Sequence, residues 1–151
     1  MKLTVFTDYS LRVLIYLATL PERRATIAEI STAFDINANH LTKVVHHLGK
    51  RGWVETVRGK GGGLTLARPA GEVCVGTVVR DTEGSVQPAE CFTTEPSTCA
   101  IADCCRLRGV LGDAVGAFYA VLDRYTLADL AKNKPELSGI LRFHPSIAQA
   151  L

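Results

Sequence analysis

The stretch from Thr26 to Lys50, TIAEISTAFDINANHLTKVVHHLGK, constrains the fold more than any other part of the chain. Thr26-Ile-Ala-Glu29 is a capping box, with Thr at the N-cap and Glu at the third helical position. It opens a short helix that turns Ile27, Ile30, Ala33 and Phe34 inward. Asp35-Ile36-Asn37 then makes a tight turn, since Asp tolerates left-handed backbone better than most residues. Asn37 caps the next helix, about 38–50, which buries Leu41, Val44, Val45 and Leu48. Its other side carries Asn39, His40, Lys43, His46, His47 and Lys50. Two helices joined this way, the second polar and basic on its outer side, form a helix–turn–helix.

The flanking segments extend the pattern. Leu11, Leu14, Ile15 and Ala18 recur at helical spacing over 8–20, with Thr7 expected as N-cap, Asp8 in the first turn and Pro21 ending the helix. Residues 53–57 (WVETV) and 64–66 (LTL) read as short strands around Arg58-Gly-Lys-Gly-Gly-Gly63. Arg58 and Lys60 make the hairpin tip a cationic wing. A glycine loop could instead cradle a nucleotide phosphate, but this one lacks the terminal Gly-Lys-Ser/Thr and no helix follows it. Helix–turn–helix and basic wing, in that order, favour double-stranded DNA. The net charge is only +2, so binding must come from local clustering. Asn39, His40, Lys43 and His47 are the expected contacts to bases or phosphates. His46 and His47 are neighbours that point in different directions, so they are not an i, i+4 metal pair.

The cysteines pose a separate question. Four of five, Cys91, Cys99, Cys104 and Cys105, fall within the stretch ECFTTEPSTCAIADCCRLRG. Cys74 stands apart, where a short helix near 75–83 should begin, and reads as structural. Asp8 and Arg12 interrupt the apolar N-terminus, and Pro-Glu-Arg-Arg follows where a signal peptide needs small residues. No run reaches the length of a membrane span. The expected location is the cytoplasm, with no membrane partner. Thiols stay reduced there, and clustered cysteines bind metal or sense redox state more often than they pair. Zinc ribbons use Cys-x2-Cys knuckles, and none occurs. Widely spaced single cysteines on a loop suit an iron–sulfur cluster, while zinc and a thiol switch remain open.

From Arg106 the periodicity is strong: Leu107, Val110, Leu111, Ala114, Val115, Phe118, Val121, Leu122 and Tyr125 share one wide face. The winged domain is too small to cover it, so a homodimer is expected, which also suits two-fold operators. Cys105 sits at the mouth of this helix, where a thiolate or an anionic metal–sulfur cluster is favoured. No nucleophile–base pair or paired catalytic carboxylates occur, so the expected function is not enzymatic.

Several motifs in order carry a family resemblance: LTVFTDYSLRVLIYLATLPE, NHLTKVVHHLGKRGWVETVRGKGGGLTLARPA, the CRLR after the cysteines, and FYAVLDRYTLADL. Over about residues 1–131 the chain resembles the NsrR group, nitric-oxide-sensing repressors of the winged-helix family that also includes IscR. The resemblance implies a homodimeric repressor of an inverted-repeat operator with an iron–sulfur cluster, of the 4Fe-4S type rather than 2Fe-2S. It implies Cys91, Cys99 and Cys105 as ligands, because the last ligand is followed by Arg-Leu. It further implies Asp8, in Phe6-Thr7-Asp8, as a fourth ligand donated by the other subunit. IscR-like chains place a histidine three residues after the last cysteine, where Arg108 stands here. Cys104 is an extra thiol. A winged-helix regulator sensing iron–sulfur status or redox state and a zinc-stabilised binding module are the alternatives.

The expected fold is mainly α (α+β). It comprises a winged helix-turn-helix domain with a two-stranded wing (1–70), a linker helix and cluster loop (71–105), a dimerisation helix region (106–131) and a C-terminal tail (132–151).

Overall fold

A computed structural model describes residues 2–84, 86–93 and 99–141. Residue 85 and residues 94–98 of the cysteine loop, and residues 142–151 of the expected tail, lie outside the described residues. Helices α1 (Val5–Thr19), α2 (Ile27–Phe34) and α3 (Ala38–Lys50) precede strands β1 (Val54–Val57) and β2 (Gly63–Leu66). Then come α4 (Val75–Glu83), α5 (Arg106–Leu122), α6 (Leu127–Leu130) and α7 (Lys134–Leu141). The strands pair antiparallel in the register Val54↔Leu66 to Val57↔Gly63. This is the winged helix–turn–helix anticipated from the sequence.

The caps show why the chain folds so locally. Thr26 accepts from the Glu29 N–H while Glu29 accepts from the Thr26 N–H, closing the expected box. Asp35 ends α2 in the left-handed conformation (φ 51°), and the Asn37 side chain accepts from the Asn39 N–H to start α3. The first helix differs from expectation. It begins at Val5 with Thr4 as its cap, and Thr7 is buried inside it. The reason is long-range: Thr4 donates to Glu83 through both backbone and side chain (2.6 and 3.0 Å), and the Thr7 hydroxyl donates to Thr82 (2.8 Å).

The core is one cluster. Val13, Leu14, Tyr16 and Leu17 of α1 meet Ile30, then Leu41, Val44, Val45 and Leu48 of α3, and Trp53, Val54 and Leu64 of the wing root. Fully burying each large apolar side chain contributes about 1.5–3 kcal/mol. The chain returns to this core at its far end, where Leu127, Ala131 and Leu141 are buried. The segment from 132 therefore carries a helix, α7, that contacts α1.

Four successive residues of α4 bind four places. Arg80 makes a two-pronged ion pair with Asp123 after α5 (2.6 and 2.7 Å). Asp81 accepts from the Arg51 guanidinium after α3 and from the Trp53 indole N–H (2.8 Å). Thr82 and Glu83 hold the start of α1. Helix α3, the wing and α5 are thus joined through α4.

Candidate nucleic-acid interface and thiol loop

On α3 the four apolar side chains expected inside are buried, and Asn39, His40, Lys43 and His46 are exposed. His47 is set apart from these. It is half-buried, its ring lies edge-on to Phe6 (centroids 5.2 Å), and among the described residues its Nε2 has no hydrogen-bond partner. A position on the flank between buried and exposed sides puts it against α1 instead of in solvent.

Arg58 and Lys60 are exposed at the wing tip. The hairpin needs glycine there: Gly59 and Gly61 have φ of 91° and 77°. A side chain at Gly63 would press within 2.7 Å of the Ala25 carbonyl. That close approach lets Ala25 and Leu64 exchange backbone hydrogen bonds (3.0 and 2.7 Å), which anchors the wing beside the start of α2. Here sequence reasoning missed Arg24, whose guanidinium donates to the Gly61 carbonyl (3.2 Å) and adds a third cation to the wing. Only the folded hairpin brings position 61 to position 24. Its neighbour Arg23 is engaged by Glu29 (2.8 Å). Burial pushes the Glu29 carboxyl up, but the Thr26 N–H and Arg23 outweigh it and hold it below its ordinary value.

None of the five cysteines is joined in a disulfide. Cys91 is half-buried on a single 3-10 turn, Glu90–Phe92, and Cys99 is exposed. Cys104 is exposed, its thiol 3.6 Å from the Ile101 carbonyl. Cys105 is the half-buried N-cap of α5 and makes no side-chain capping bond, so the thiol is not used to hold the helix. The Arg108 guanidinium lies over the Phe92 ring at 5.8 Å, which clasps the Cys91 turn to the first turn of α5. Asp8, half-buried on α1, pairs with Arg12 one turn on (2.8 and 3.1 Å). Among the described residues no three His, Cys, Asp or Glu side chains converge to hold a metal ion. The donor set nonetheless suits a thiophilic metal group: free thiols, two of them on segments clasped together, at a helix start whose N–H groups favour negative charge.

Of the apolar face of α5, no residue is buried. Leu107 and Val110 are 60% and 61% exposed. Among the described residues no helix is long and apolar enough to cross a membrane.

The chain matches the Rrf2 family model, described as an iron-dependent transcriptional regulator, over residues 3–133. It is 44% identical over 146 residues to the HTH-type transcriptional regulator NsrR of Halalkalibacterium halodurans, covering 96% of this chain and 100% of the relative. It is 46% identical over 143 residues to the regulator of the same name from Bacillus subtilis, covering 94% and 98%. Among solved structures it resembles T. potens IscR, with a TM-score of 0.70 at 26% identity over 90% of each chain. It also resembles the oxidised form of Staphylococcus aureus CymR, with a TM-score of 0.69 at 26% identity, covering 87% of this chain and 96% of that one.

Proposed function

This chain belongs to the Rrf2 family of transcriptional regulators, and from that premise we propose that it is a nitric-oxide-responsive repressor whose grip on its operator depends on an iron–sulfur cluster. It is a DNA-binding transcriptional regulator, and its relatives are named as regulators rather than enzymes. The finer reading is supported above all by one observation. Cys105 starts α5 with its thiol free of any capping role, and the Phe92–Arg108 contact holds the Cys91 turn beside it.

On this reading Cys91, Cys99 and Cys105 hold the cluster with the partner subunit's Asp8. Three thiolates and one carboxylate suit a 4Fe-4S group better than 2Fe-2S with histidine, since Arg108 stands where a histidine would be needed. When bound, the cluster supplies iron to which nitric oxide binds. The protein's part is mechanical. The exposed apolar face of α5 packs against its copy in a homodimer. The partner subunit's Asp8, engaged across that dimer, ties one protomer's α1 to the other's loop and fixes the two reading heads. A carboxylate would be a weaker hold on such a centre than the thiolates, and so the tie that would yield most readily. A released Asp8 carboxylate would be held by Arg12, a reading supported by the ion pair within α1. Asn39, His40 and Lys43 enter the major groove, and His47 backs them from the flank. Arg58 and Lys60, joined by Arg24, meet the DNA backbone or minor groove. The operator is an inverted repeat with half-sites about 34–36 Å apart. The protein acts in the cytoplasm.

Anaerobic purification with an iron and sulfide count tests the ligand set. Cys105→Ala should yield a colourless protein and Cys104→Ala a brown one. The reverse pattern would overturn the choice of Cys105.

A further inference from the structure

The first turns of α1 serve two surfaces at once. Phe6 and Tyr9 are three residues apart and share the face turned toward α3. Phe6 meets His47 edge-on, with rings 86° apart. Tyr9 stacks on His40, with centroids 6.4 Å apart and planes 28° apart. His40 and His47 are two helical turns apart, so they lie on one flank of α3. Thr7 and Asp8 lie between Phe6 and Tyr9 in the chain, and the Asp8 carboxylate turns to Arg12.

On the side facing α3, this end of α1 is less densely packed than the rest of the helix. From Val13 to Thr19 only Ile15 escapes full burial, and Val5 is 55% exposed. A small cavity of about 170 Å³ opens between the helices, lined by Val5, Phe6, Tyr9, His40, Lys43 and Val44. Beside that cavity, the ring contacts of Phe6 and Tyr9 join α1 to His47 and His40 of α3. The Thr7–Thr82 hydroxyl bond holds the opposite side of the same turn. The cavity beside Phe6 and Tyr9 leaves their rings room to move.

We infer that Tyr9 is a positioning residue that sets the orientation of His40 at the DNA surface, and that the contacts of Tyr9 and Phe6 carry the state of Asp8 to the reading helix. The inference rests on the proposed reading in which His40 meets DNA and Asp8 is the yielding ligand. It adds which side chains lie between sensing and reading.

The test uses the full chain and an inverted-repeat duplex enriched from random DNA by the wild-type protein. Affinity is read by fluorescence anisotropy for cluster-free and cluster-loaded protein, and thermal melts confirm folding. His40→Ala should weaken binding. Tyr9→Phe, which keeps the ring, should stay within about twofold, whereas Tyr9→Leu should lose about 3- to 10-fold, the range of an aromatic pair. The Tyr9→Leu/His40→Ala double variant should bind no worse than His40→Ala alone, because the two act as a unit. The ratio of loaded to cluster-free affinity should shrink in Tyr9→Leu. If His40→Ala binds as wild type, the DNA contact itself is wrong and the inference goes with it. If His40→Ala weakens binding but the losses multiply, or Tyr9→Leu leaves affinity and ratio unchanged, the inference alone is overturned. A second arm does not depend on Tyr9→Leu folding well: the His40 ring protons in cluster-free wild type and Tyr9→Phe should show a ring-current shift by NMR. A shift equal to that of exposed His46 would also overturn it.

Discussion

Helix α1 buries Val13, Leu14, Tyr16, Leu17 and Ala18, whereas the seventeen residues of α5 bury none. Both helices are rich in apolar residues, so hydrophobicity does not separate them. What differs is who supplies the other side. The winged half closes its core with its own chain, down to Leu127 and Leu141 from the far end. Helix α5 is fastened mainly by polar and cation–π contacts near its ends. Arg108 reaches Phe92 at the start, Arg80 grips Asp123 at the end, and the same Arg80 lies 4.4 Å from the Tyr119 ring centre. One region closes its own core, and the other leaves an apolar face exposed, which the proposed homodimer would cover. A regulator needs both, since the reading head must keep its shape while its placement changes.

The sharpest way to break this contrast is to delete core volume. Leu48→Ala should cost about 2–5 kcal/mol in chemical denaturation, through lost transfer energy and a cavity. Next comes Asp81, which joins α3, the wing and α4. Asp81→Ala should cost about 1.5–3 kcal/mol, because it removes the carboxylate that accepts from the Arg51 guanidinium and from the buried Trp53 indole N–H. The Arg51 guanidinium holds the Asp81 carboxyl below its ordinary value. Its folded value is depressed, so its stabilisation is present above about pH 4, the ordinary Asp value, and fades as the pH falls further. Asp81→Asn should flatten that part of an acid titration of stability. Thr26→Ala removes a cap and should cost about 1 kcal/mol. Smallest in folding energy is Val110→Ser on α5, within about 0.5 kcal/mol for the dissociated chain. The same variant should shift sedimentation toward monomer. A large folding loss at Val110 with no change in association would erase the distinction between the regions.

The sequence made the local devices legible. The capping box at Thr26, the left-handed Asp35 and the Asn37 cap are short-range, and α3 follows them to its stated ends. The wing was equally readable from its glycines. Long-range ties were not. Thr7 looked like a cap because nothing nearby in sequence announces Thr82 as its partner and Glu83 as that of Thr4. His47 counted as outward because helical spacing cannot show that Phe6 covers that flank. Arg24 gave no signal for its reach to Gly61. For the thiol loop, spacing left the metal and its ligands open, the family resemblance implied which thiols would be donors, and the proposed fourth donor belongs to another subunit.

The central claim is that operator binding is governed by a cluster on Cys91, Cys99, Cys105 and Asp8. It is tested most directly by titrating anaerobic, iron-loaded protein on operator DNA with nitric oxide while recording anisotropy and the visible spectrum together. The account predicts that DNA is released in step with loss of the cluster absorption, and that Asp8→Ala abolishes the dependence of binding on the cluster. Unchanged operator affinity after the absorption has gone would contradict it.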